Sequence, residues 1–106
     1  MAAVVVTNAA REDLERLIRS RSLPDTARER VKDALEPLTR FPNLGRRLLG
    51  RWSTFRVVMG PWPWMLVVYR YDESRDRVAI VTIQDSRSAH SATTDEPRSE
   101  PRRPSV

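Results

Sequence analysis

Arg40, Arg46, Arg47, Arg51, Arg56 and Arg70 lie between Pro37 and Tyr71, in a stretch without one acidic residue. Phe41, Trp52, Phe55, Trp62 and Trp64 are interleaved with them. A guanidinium forks onto phosphate oxygens, and an aromatic ring stacks on an unpaired base. The chemistry these residue types suit is therefore the holding of a polyanion. Charge bookkeeping sharpens the point. Residues 1–38 carry seven basic and seven acidic side chains, and residues 91–106 carry three of each, so the formal charge of +5 sits between Thr39 and His90. Localised charge concerns partners rather than fold. The plainer reading is a solvated basic face, since 18 of the 19 Lys and Arg residues are arginine.

Acid–base chemistry has few candidates. General acid or base work needs a group that titrates near neutrality, and His90 is the single histidine. With no cysteine and one histidine, no dedicated transition-metal cage is expected, and no cofactor is implied. A chain of 106 residues is one domain. Its core is modest, so a site would be a shallow surface groove. The longest apolar stretch, Trp62 to Tyr69, is far too short to span a membrane. The N-terminus lacks the pattern of a secretory signal, so a cytoplasmic location is expected.

The positioning elements follow from periodicity. Val4-Val5-Val6 is a β-branched run and predicts a short strand. Thr7 or Asn8 then caps a helix running to about Arg19, with Ala10, Leu14, Leu17 and Ile18 on one face. Glu12–Arg16 and Glu15–Arg19 are spaced as i,i+4 pairs. A second helix, from about Pro24 to Leu38, carries Leu23, Ala27, Val31, Ala34, Leu35 and Leu38; Pro37 marks its end. Phe41 to Gly45 is a turn and Arg46 to Arg51 a basic connector. Alternation predicts a strand from Trp52 to Met59, with Arg56 opposite Phe55 and Val57. Gly60 to Pro63 forms a hairpin tip. Trp64 to Tyr71 reads as a central strand, and Arg77 to Gln84 as the last. Tyr69 and Trp52 are expected in the core, and Trp62 on a partner surface. The order β-α-α-β-β-β predicts an α+β fold, a helical hairpin packed on a small antiparallel sheet over residues 1–90, with the first strand able to add at its edge.

Several segments resemble the RelE/ParE superfamily of type II toxin–antitoxin toxins. Leu38-Thr-Arg-Phe-Pro-Asn-Leu-Gly45 is similar to its L-x-x-x-P-x-x-G turn. Leu48-Leu-Gly-Arg-Trp-Ser-Thr-Phe-Arg56 is similar to L-x-G-x-W-x-x-x-R. Val67-Val-Tyr-Arg-Tyr-Asp-Glu73 and Val78-Ala-Ile-Val-Thr-Ile-Gln-Asp-Ser-Arg87 resemble its last two strands. The resemblance implies a toxin neutralised by a cognate antitoxin. On the RelE-like branch it would be a metal-independent endoribonuclease cutting mRNA on the ribosome. That branch is the reading taken from the sequence. The alternatives are a ParE-like inhibitor of DNA gyrase and an inactive relative that only binds its antitoxin. The implied catalytic residues are Arg56, Arg87 and His90, with Arg56 and Arg87 converging on one phosphate. Arg46, Arg47, Arg51 and Trp62 would hold RNA. The family's third-strand arginine has no counterpart, because Met65-Leu66 stands in its place.

Residues 91–106 are dominated by Pro, Ser, Arg and Glu and lack the apolar side chains that offset ordering entropy. They are expected to be a disordered tail. Truncation after Ser91 should leave the melting temperature unchanged in a thermal unfolding scan, and a clear drop would show that the tail docks on the domain.

Overall fold

The computed structural model describes residues 1–87, so His90 and the 91–106 tail lie outside the described residues. Strand β1 (Ala3–Val6) leads into helix α1 (Asn8–Ser20) and helix α2 (Ala27–Leu35). Four more strands follow: β2 (Arg46–Arg47), β3 (Arg56–Met59), β4 (Met65–Asp72) and β5 (Arg77–Asp85). They form one sheet in the order β1-β5-β4-β3-β2. The expected helical hairpin and antiparallel meander are present. The sheet is mixed rather than purely antiparallel, because β1 pairs parallel with β5, Val4 opposite Val78 and Val6 opposite Ile80. The helical crossover makes that pairing possible, since a short turn cannot join parallel neighbours.

Thr7 sets the start of α1. Its hydroxyl accepts from the Ala10 N–H at 3.2 Å and donates to the Ile80 carbonyl at 2.8 Å. One residue thus caps the helix and ties it to β5. Helix α2 begins at Ala27, later than expected, after a turn in which the Ala27 N–H donates to the Pro24 carbonyl. Around Pro37 the chain tightens into a 3-10 turn, Glu36–Thr39. The predicted i,i+4 pairs on α1 are replaced by others. Arg16 pairs with Asp13, one turn back, and Glu15 reaches across to α2, where Arg28 grips it at 2.5 and 2.6 Å. A bidentate partner on the next helix competes better than a flexible neighbour on the same one.

The strand expected from Trp52 is shorter. Gly50 adopts φ 62°, residues Gly50–Trp52 make a 3-10 turn, and the Phe55 N–H closes back on the Trp52 carbonyl. Only Arg56–Met59 remain extended. The basic connector meanwhile supplies β2, Arg46 opposite Val57 and Arg47 opposite Arg56.

The sheet has two apolar faces. Met65, Val67, Tyr69, Val78, Ile80 and Ile83 pack against Ala10, Leu14, Val31, Leu35 and Leu38 on the helical side. On the other face Leu48, Val57, Leu66 and Val68 form a smaller cluster, flanked by Trp52, Phe55 and Val81. Trp52 is thus half-buried at the edge of this second cluster. Burying each such aliphatic side chain is worth about 1.5–3 kcal/mol.

Tyr69 joins sheet to turn. It is fully buried, donates its hydroxyl to the Pro42 carbonyl and accepts from the Gly45 N–H, both at 2.8 Å. Burial pushes the phenol pKa up, which keeps the donor protonated. A Cβ on Gly45 would meet the Tyr69 ring and the Val57 carbonyl at 2.8 Å, so only glycine fits there. Tyr69→Phe strands both backbone groups and should cost about 1–3 kcal/mol. In a domain this size that is a fall of roughly 4–8 °C in melting temperature per kcal/mol, read by calorimetry.

Candidate functional site

The side chains predicted to act together are held apart. Arg56 opposes Tyr69, whereas Asp85, two residues before Arg87, opposes Met65. Four residues along β4 are about 13 Å, and two strand spacings add about 10 Å laterally. Arg56 and Arg87 therefore lie at opposite ends of the sheet and do not converge on one phosphate. Arg56 turns onto the 42–45 turn, donating to the carbonyls of Gly45 at 2.9 Å and Asn43 at 3.3 Å. It supports the same turn that Tyr69 holds.

Arg87 belongs to a different cluster. Its guanidinium grips Asp85 at 3.1 and 3.2 Å, and its backbone N–H donates to the same carboxylate at 2.8 Å. Arg21, at the end of α1, donates to Asp85 from the other side. The Asp85 side chain is 6% exposed, while Arg21 and Arg87 remain 42% and 58% exposed. Hydrogen bonding from Arg87, with the charges of both arginines, holds the Asp85 carboxyl below its ordinary range, against the opposing effect of burial. Both guanidiniums lie over the Trp64 ring, at 5.6 and 5.5 Å. Trp64 stacks on Trp62 at 6.2 Å, and Arg30 of α2 covers Trp62 at 4.5 Å.

This Arg30–Trp62–Trp64–Arg21/Arg87 stack fastens the hairpin tip to the helical hairpin. Trp62 is half-buried within it and is not an open stacking platform. Sequence reasoning missed Arg21 and Arg30, because they lie in the charge-balanced N-terminal segment. The only signal for them was the pairing of exposed tryptophans with an arginine surplus. Met65, which stands where the third-strand arginine was expected, is fully buried in the helix-side core.

The remaining predicted RNA-binding residues line the β2 edge. Arg46 and Arg47 are exposed on β2, and the Arg47 Nε donates to the Ser53 carbonyl at 3.1 Å. Arg51 lies over Trp52 at 5.9 Å. Among the described residues no group of His, Asp or Glu gathers as a metal site, and no helix is long and apolar enough to cross a membrane.

A separate groove opens at the β1 edge. Val4, Val6, Leu14, Val31, Leu35 and Ile83 line an apolar cavity of about 880 Å³ between β1 and the two helices. Arg11, Glu15, Arg28, Lys32 and Glu36 rim it.

Residues 4–89 match the model of the ParE toxin of the type II toxin–antitoxin system parDE. The chain belongs to this toxin family. Solved structures of its relatives share the fold at low identity. The ParDE system of P. aeruginosa aligns at 15% identity, covering 80% of this chain and 96% of that one, with a TM-score of 0.63. The RelBE2 toxin–antitoxin complex of Mycobacterium tuberculosis aligns at 22% identity, covering 79% and 96%, with a TM-score of 0.56. The isolated E. coli RelE toxin aligns at 14% identity, covering 85% and 89%, with a TM-score of 0.59. A search of curated proteins gave no match.

In this ParE-family toxin the Asp85 hub is expected to make a pH-dependent contribution to stability. A carboxyl with a depressed folded-state pKa stabilises above its unfolded value and loses that contribution as pH falls through the folded value. Asp85→Asn should therefore melt several degrees below the wild type at pH 7. The gap should stay constant down to about pH 4, the ordinary carboxylate range, and close below it. Paired melting curves from pH 7 to pH 2.5 read this directly.

Proposed function

We propose that this chain is the toxin of a two-gene pair, that it poisons DNA gyrase, and that a cognate antitoxin neutralises it. The observation that carries the choice of target is the engagement of Arg87 and Arg21 by Asp85. Cleavage of RNA through its 2′-hydroxyl needs charge aimed at a dianionic transition state and a group to move the proton. Here the strand-end arginine faces an internal carboxylate, Arg56 supports a turn, and the third-strand position is a buried methionine. The family match to ParE points the same way. The RelE-like reading rests chiefly on the basic β2 edge, where Arg46, Arg47 and Arg51 suit an RNA backbone.

The antitoxin belongs at the β1 groove. An apolar cavity beside an open sheet edge accepts either an amphipathic helix or an added strand, and both are common modes of peptide recognition. Relatives of this fold have been solved bound to their antitoxins.

Two assays on the purified protein test the proposal. It should block supercoiling by gyrase and leave mRNA intact in a translation-coupled cleavage reaction. The neighbouring reading frame, co-expressed, should relieve growth arrest and co-purify. Cleaved mRNA with unimpaired supercoiling would restore the endonuclease reading. In that case Arg56→Ala and Arg87→Ala should cost about 10²–10³ in rate, and Arg47→Ala far less.

A further inference from the structure

Strand β1 lies at an edge of the sheet, and its hydrogen bonding shows which residues face the open side. The Ala3 N–H donates to the Asp76 carbonyl at 3.0 Å, and the Thr7 N–H to the Ile80 carbonyl at 3.1 Å. Residues 3, 5 and 7 therefore address β5, and the main-chain N–H and C=O of Val4 and Val6 point outward. The Ala2 N–H, on that same outward side, is already taken by the Thr39 carbonyl at 2.7 Å. Helix α1 begins at Asn8. The open edge is thus short, Val4 to Val6, and its outward groups meet no partner among the described residues. Side chains alternate too. Val4 and Val6 pack toward the helix-side core and line the apolar groove, while Val5, on the opposite face, is 44% exposed.

The charges on the groove's rim are not all available. Glu15 and Glu36 stand one helical turn from Arg11 and Lys32 and could neutralise them as i,i+4 neighbours. Both acids are taken, Glu15 by Arg28 at 2.5 and 2.6 Å, Glu36 by Arg40 at 2.8 and 3.0 Å. Arg11 on α1 and Lys32 on α2 are left exposed, without an ion pair among the described residues.

We infer that Arg11 and Lys32 select the occupant of this groove: a short extended segment of the antitoxin that adds to β1 at Val4 and Val6 and presents carboxylates to the two cations. Outward N–H and C=O groups are satisfied by an added strand and not by a helix, whose own main chain is already bonded. An added strand also drops alternate side chains into the groove and lays the others beside Val5, which a helix in the groove would leave bare. No ring lines the groove for a base to stack on, and Phe41, 60% exposed, lies in the turn beyond Thr39 and outside the lining. A second copy of β1 does not fit. In a symmetric antiparallel pair Val4 would oppose Val6 of the other copy, and Asn8 of that copy would fall on Ala2, where Thr39 already sits. The inference rests on the antitoxin being seated at the β1 groove. It adds the form the segment takes and the residues of this chain that choose it.

The test uses the full chain, with the product of the neighbouring reading frame as probe. Arg11→Glu and Lys32→Glu are made together; both side chains are exposed, so the melting temperature should match the wild type. The association rate should fall about tenfold or more and lose most of its salt dependence. Hydrogen exchange reads the strand: on binding to the wild type, the Val4 and Val6 amides should slow about tenfold or more. An unchanged association rate would overturn the role of the two cations. Val4 and Val6 amides that exchange as fast in the complex as in free toxin would overturn the strand, while a probe that still co-purifies leaves the antitoxin reading standing. A probe that neither binds the wild type nor relieves growth arrest would overturn both. Slow Val4 and Val6 amides in the toxin alone, sedimenting as a dimer, would give the edge to a second copy and overturn the inference. Should the double variant melt early, Arg11→Gln with Lys32→Gln decides by the same readout.

Discussion

One carboxylate organises the end of the sheet where β5 closes. Asp85 closes β5, is almost wholly buried, and receives Arg21 from the end of α1 and Arg87 from the chain just beyond β5. An unpaired buried carboxylate would be strongly disfavoured, so the arginines are fixed in place by its need for partners. Their guanidiniums then cover Trp64, which stacks on Trp62, which Arg30 caps. Helical hairpin, sheet and hairpin tip are locked together through that chain of contacts. The same contacts turn a cluster that looks cationic by count into one that is neutralised in part from within.

The second constraint is Tyr69. A phenol buried in the centre of the sheet needs partners for its hydroxyl, and the 42–45 turn supplies them. Arg56 grips the same turn from the neighbouring strand. The turn in turn delivers Arg46 and Arg47 to the sheet edge as β2. The basic connector is thus ordered by the core, and its charges are presented along one edge. Two surfaces result, an apolar groove at β1 and a cationic, partly aliphatic face toward β2.

Much of this was legible in the sequence, and the misses have physical causes. Apolar periodicity of 3.6 residues located α1 through Ala10 and Leu14, and the apolar run at 65–69 located the central strand, because burial is written in side-chain type. The L-x-x-x-P-x-x-G segment marked the turn that Tyr69 anchors. What periodicity does not carry is long-range pairing. The parallel partner of β1 lies more than 70 residues away, and nothing local specifies it. Arg21 and Arg30 were overlooked because net charge was summed along the chain, while their partners Asp85 and Trp62 are neighbours only in the fold. Proximity of Arg56 and Arg87 was expected from the resemblance and from their place on two strands, and the register separates them. Gly50 was a visible breaker, yet the aromatic alternation from Trp52 onward outweighed it.

The proposed function requires that the strand-end arginine, held by Asp85, not be held by RNA. Anisotropy of a labelled ten-nucleotide single-stranded RNA, titrated with wild type and with Arg87→Ala at fixed salt, tests it most directly. Weak, salt-sensitive binding that Arg87→Ala leaves within about twofold is expected, because only one half-neutralised charge is removed. Tight binding by the wild type that Arg87→Ala abolishes would contradict it, because Arg87 would then be engaging phosphate in spite of Asp85.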